Sequence, residues 1–117
     1  MVTSASISAN ASTARDESAA LIERFAPFAV ITIERAGMTA DGTYRNALGQ
    51  DYSEGRAQLD HVVELAAAAN IPTIGIGDGG NEIGMGAVRE AVHANVPHGP
   101  VLCANLATDV LLSLIHI

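Results

Sequence analysis

The sequence predicts an α/β domain in which a parallel sheet is flanked by helices. Three observations predict it. Short apolar, β-branched runs at 29–33 and 71–76 alternate with segments of helical period at 12–25, 56–70 and 81–95. Such alternation implies parallel strands joined by crossover helices. The core is also built from small side chains. Of 117 residues, 49% are hydrophobic and 21 are Ala, with no Trp, two Tyr and two Phe. Side chains of that size suit helices lying close on a sheet. Finally, two polar, glycine-bearing segments follow the two clearest strand candidates, where an α/β sheet places its ligands.

Taken in order, residues 1–11 have no period and read as a disordered segment. Residues 12–25 place Ala14, Ser18, Leu21, Ile22 and Phe25 at helical spacing, and Pro27 ends that helix. Residues 29–33, Ala-Val-Ile-Thr-Ile, read as a buried strand. The stretch 34–55 has no period and carries Gly37, Gly42, Gly49 and Gly55, so it is a long loop of the kind that often holds function. Residues 56–70 put Leu59, Val62, Val63, Ala66 and Ala67 on one face, with Gln58, Asp60 and Glu64 largely on the other. A second strand is expected at 71–76, a tight turn at 77–80, a third helix at 81–95, a linker at 96–100 and a third strand at 101–104.

Charge and composition exclude several functions. Six basic residues, all Arg, stand against 13 acidic ones, giving a formal net charge of −7. No cationic footprint for nucleic acid follows from that balance. No stretch is long and apolar enough for a membrane-spanning helix. The single Cys103 rules out an internal disulfide and a cysteine zinc cluster, and it reads as a small core residue. The four histidines fall at no metal-binding spacing and read as surface residues. The N-terminus lacks the basic start and apolar stretch of a secretory signal.

The richest chemistry lies in Gly75-Ile-Gly-Asp-Gly-Gly-Asn-Glu-Ile-Gly-Met-Gly86. It contains G-x-G-x-x-G between strand and helix, as a dinucleotide fingerprint would. Against a nucleotide, Gly75 lies inside the strand, and Asp78 and Glu82 bring two carboxylates to the supposed pyrophosphate. The functional reading is a pocket for a small zwitterion. Backbone N–H groups of Gly79, Gly80 and Asn81 at a helix start would take a carboxylate. Asp78 and Glu82 would take an ammonium group or a divalent metal, or move a proton. The plainer reading is that Asp78 and Asn81 shape the turn and cap the helix, and that Glu82 favours the helix dipole. The first loop adds Glu34, Arg35, Asp41, Tyr44, Arg45 and Asn46. Arg35 is able to grip a carboxylate with two N–H groups, or to pair with a neighbour such as Glu34. Tyr44 needs a partner for its hydroxyl if it joins the core, and Asp41-Gly42 is an ordinary turn signal.

Together, Glu34-Arg-x-Gly37, Asp41-Gly-x-Tyr44-x-Asn46 and the run from Gly75 to Gly86 resemble the D-glutamate cyclase family, in its C-terminal domain. The likeness spans 29–111 in matching order. It implies a Rossmann-like sheet and a lyase that closes D-glutamate to 5-oxo-D-proline and water. On that resemblance Asp78, Glu82 and Glu34 are the catalytic candidates, and Asp78 and Glu82 the candidates for a divalent metal. Arg35, Asp41, Tyr44, Asn46, Gly79, Gly80 and Asn81 would bind the substrate. No other cofactor is implied, and the partner is a small amino acid. The alternatives are a nucleotide-binding domain and a non-catalytic amino-acid-binding module. The resemblance also implies a truncated piece of a larger domain at 12–111, inactive alone and with strand edges and apolar faces uncovered. Residues 112–117 read as a non-native tail, since a common sequencing-library transposon end encodes that hexapeptide in frame. The expected compartment is the cytoplasm in a bacterium and the mitochondrion in a eukaryote.

Overall fold

A computed structural model describes residues 3–113. Helix α1 spans Ala11–Phe25 and strand β1 spans Val30–Ile33. Helix α2, Asp60–Ala68, precedes β2, Thr73–Gly77. A single 3-10 turn, Gly86–Val88, leads into α3, Arg89–Asn95. The short α4, Gly99–Leu102, and β3, Val110–Ser113, complete the chain order. The three strands are parallel in the order β1-β2-β3. The α/β reading with a parallel sheet therefore holds.

Local chemistry explains the elements. Asn10 caps α1, its side chain accepting from Ser12 N at 3.1 Å. Ala14 and Ser18 are fully buried where α1 packs beside α2. At the other end Ala26 takes a left-handed conformation, φ 40°, and closes the helix onto the Ile22 carbonyl. Asp109 ties β3 to β2, since its carboxylate accepts both the N–H and the hydroxyl of Thr73.

Four expectations need correction. The third strand is not at 101–104: Val101 and Leu102 end α4, Cys103 and Ala104 follow it as buried coil, and the third strand starts at Val110. A short apolar run reads alike as strand and as buried helix end. The third helix does not start at 81. Residues 81–85 are turns and isolated bridges, and regular helix begins only at Arg89. The first strand is not buried on both faces, because Ile31 and Ile33 are 56% and 67% exposed. Residues 3–10 form no helix or strand, yet Ile7 is buried, Ser8 N donates to Glu17 at 2.7 Å, and the Ser8 and Ala9 carbonyls accept from Gln58. Of the segment 112–117, Leu112 and Ser113 lie in β3, and the remainder is outside the described residues.

Candidate active site

Strand register builds the site. Ile33 pairs with Ile76, and one step further Glu34 N donates to the Ile76 carbonyl at 2.8 Å. Glu34 thus stands at the carboxyl end of β1, beside the point where β2 gives way to Asp78. Glu34 is held at φ 50°, in the left-handed region that non-glycine residues seldom adopt. The next turns are stitched across. Ile83 N donates to the Arg35 carbonyl and Gly37 N to the Asn81 carbonyl, both at 2.8 Å, forming a bridge between Ala36 and Glu82. The result is a cluster in which carboxylate oxygens of Glu34, Asp78 and Glu82 lie within 4.8 Å of one another. Two polar segments more than 40 residues apart meet there.

The three acids are not equivalent. Glu82 is buried, and its carboxylate accepts N–H groups from Asp78 at 3.2 Å and from Gly79 and Gly80 at 2.8 Å each. Three backbone donors aimed at one carboxylate fix its position in the turn. Gly77 makes room for this arrangement: a Cβ there would come within 2.7 Å of the Glu82 Cβ. Glu34 and Asp78 are exposed. Loss of surrounding water raises the Glu34 pKa above its ordinary value, and the charges of Asp78 and Glu82 raise it further. The cluster therefore sets one carboxylate, held in place by three N–H groups, beside another that binds a proton more readily than usual.

A sequence model of the family described as D-glutamate cyclase-like, C-terminal, matches residues 2–114. The chain belongs to that family. It is also similar to the human protein named D-glutamate cyclase, mitochondrial, with 42% identity over 88 residues. That match takes in 68% of this chain and 13% of the human protein, so the chain spans a small part of its relative's length.

The remaining residues expected to bind a family substrate are engaged elsewhere. Gly79 and Gly80 donate their N–H groups to Glu82 rather than to open space, which also removes the cradle that a nucleotide pyrophosphate would need. Asn81 lies beside them, but its side-chain amide donates to the Arg45 carbonyl at 2.7 Å and so ties the 34–55 loop to the glycine-rich turn. Arg35 donates to the Ala57 carbonyl at 2.7 Å, and among the described residues its buried Nε has no partner. Asp41 closes a turn through the Thr39 hydroxyl and the Thr43 N–H and hydroxyl, with Arg45 at 3.5 Å. Those bonds, Thr39 first, hold its carboxyl down at about 2. Asn46 folds the next turn, accepting from Leu48 N and Gln50 N at 3.0 Å each.

Tyr44 is 2% exposed and donates to Asp60 Oδ1 at 2.6 Å, while Met38 N donates to Asp60 Oδ2 at 2.9 Å. Burial raises the pKa of both groups, and these two hydrogen bonds to Asp60 oppose the shift of its carboxyl. Asp60 is the residue that sequence reasoning missed. Placed on the polar face of its helix, it is 1% exposed instead. The one available signal was the need of a loop tyrosine for an acceptor.

Proposed function

We propose that this domain binds D-glutamate at the Glu34, Asp78 and Glu82 cluster and, within a complete cyclase, takes part in closing it to 5-oxo-D-proline and water. The supporting observation is the convergence of three carboxylates at the carboxyl edge of a parallel sheet, in a chain of this family. An ammonium group seated among them meets complementary charge. Glu34, with its raised pKa, is the group suited to take a proton from that ammonium. The freed amine then attacks the substrate's own γ-carboxyl carbon. A C–N bond forms and a C–O bond breaks. Two protons from the ammonium leave with the departing carboxyl oxygen as water, the first carried by Glu34. Glu82, fixed by three N–H groups, holds its carboxylate oxygens beside the amine, and Asp78 completes the ammonium seat.

The same three carboxylates offer the hard oxygen donors that a divalent cation prefers. Such an ion would supply Lewis-acid polarisation of the γ-carboxyl. The N–H groups of Asp78, Gly79 and Gly80 are spent on Glu82 and Arg35 Nη2 on the Ala57 carbonyl, so these donors do not cradle the substrate's α-carboxylate in this conformation. The remaining groups come from the longer polypeptide in this reading, so the chain alone does not turn over substrate. In a eukaryotic host its compartment is the mitochondrion, as in the name of the human relative.

Ligand-dependent melting tests the proposal. D-glutamate or 5-oxo-D-proline raises the melting temperature saturably, and Glu34→Gln with Asp78→Asn abolishes the shift. Stabilisation by NAD or ATP, with none by D-glutamate, would overturn it. In a complete homologous enzyme, the substitutions matching Glu34→Gln and Asp78→Asn lower kcat; unchanged rates would reject the roles. Turnover by the isolated chain would reject its dependence on the longer polypeptide.

A further inference from the structure

The sheet has two unlike faces. One carries Thr73, Gly75 and Gly77 of β2, and it is covered. A Cβ at Gly75 would meet the Ile83 carbonyl at 2.7 Å and the Thr108 hydroxyl at 2.9 Å, and one at Gly77 would meet Glu82. The other face carries Ile31 and Ile33 of β1, Ile74 and Ile76 of β2, and Val110 and Leu112 of β3. Register aligns them as two rows, Ile31–Ile74–Val110 and Ile33–Ile76–Leu112. All six are aliphatic. The four on the outer strands are 50–67% exposed. No described residue covers this face.

Topology explains why this chain's own connections leave it bare. The chain advances in one direction across the sheet, from β1 to β2 to β3. Right-handed crossovers taken in one direction all fall on the same face. A parallel sheet is stable in water when both faces are covered. Cover for the second face must come from a separate segment.

Size selects the occupant. Three strands about 4.8 Å apart and four residues long at about 3.3 Å each present a patch of roughly 14 by 13 Å. That is far below the ~800 Å² per partner of a standard stable interface, so a second copy of this sheet is a poor fit. An α-helix is about 10 Å wide and rises ~1.5 Å per residue, so roughly ten residues cover the patch. The matched stretch is 13% of the human relative, which leaves ample polypeptide to supply one.

We propose that the aliphatic face of Ile31, Ile33, Ile74, Ile76 and Val110, which Leu112 extends in this chain, is the docking surface for an amphipathic helix from the longer family polypeptide. The helix presents an uncharged stripe of Leu, Ile, Val or Ala. The site carboxylates stand at the end of these same strands, so the docked helix also supports the edge that carries Glu34 and Asp78.

The test compares this chain alone with a chimera in which it replaces the matched stretch of the human relative. Ile33→Cys and Ile76→Cys are labelled with a maleimide in each, with Glu54→Cys, in an exposed turn off the sheet, as the reference. Native Cys103 is buried. Labelling at 33 and 76 is expected to slow at least tenfold in the chimera, relative to the reference. A second reading uses Ile33→Asp, which leaves the isolated chain's melting temperature within 1–2 °C but lowers the chimera's by several degrees. Equal labelling in both proteins overturns the proposal. So does labelling of the isolated chain that slows with concentration while its mass doubles, since the occupant is then a second copy.

Discussion

Two acidic constellations draw on the same 34–55 loop, and their fates are opposite. Asp60 is buried and saturated, with Tyr44 Oη and Met38 N as donors. Glu34 is exposed, sits at φ 50°, and faces Asp78 and Glu82; loss of surrounding water and the charges of those two acids raise its pKa. The first arrangement spends its polarity on holding the 34–55 loop against α2. The second keeps its polarity available. The comparison teaches that a chemically rich loop divides its side chains into those that shape it and those it presents. Tyr44, Asp41, Asn46, Arg35 and Asn81 shape it. Glu34, Asp78 and Glu82 are presented together, although Glu82 also shapes its own turn.

Removing the buried member should produce the largest effect. Asp60→Ala strands the Tyr44 hydroxyl and the Met38 N–H, and it should cost about 3–4 kcal/mol in urea unfolding. A loss below ~1 kcal/mol would erase the distinction between the two constellations. Next comes Glu82→Ala, which removes the acceptor of three turn N–H groups and should cost about 2 kcal/mol, less than Asp60 because water reaches the turn more easily.

The smaller effects sharpen the comparison through pH. Asp41 has its folded pKa lowered to about 2 against 3.8 unfolded. Its contribution is therefore present above pH 3.8 and disappears as pH falls towards 2. Asp41→Ala should lower the urea midpoint at pH 7 and match the parent near pH 2. Glu34 is the reverse case, because its folded pKa is raised above 4.5. Its ionised form works against folding above that raised value, and the penalty is gone below 4.5. Glu34→Gln should therefore unfold slightly later than the parent at pH 7, with the two curves converging as pH falls through the raised pKa to 4.5. A Glu34→Gln variant that unfolds earlier at pH 7 would place Glu34 among the shaping residues.

Several features were readable before the fold was known. The periods at 12–25 and 56–70 and the runs at 29–33 and 71–76 placed α1, α2, β1 and β2 near their observed bounds. Helical and strand periods are properties of the chain itself. The meeting of Glu34 with Asp78 and Glu82 was also readable, because consecutive parallel strands end at the same edge. The 101–104 run misled because four apolar residues carry too little period to separate strand from helix end. The glycines at 84 and 86 were assigned to a helix, yet Gly84 sits at φ 107°, outside helical backbone.

The amino-acid order by itself determined the parallel α/β architecture and the edge at which the acids gather, since both follow from local period and chain direction. Tertiary structure decided which polar groups remain available. Tyr44 finds its acceptor 16 residues away, Asn81 its acceptor 36 residues away, and the turn N–H groups find theirs in Glu82. A hydrogen bond depends on distance and direction in space, and residue spacing along the chain does not encode either.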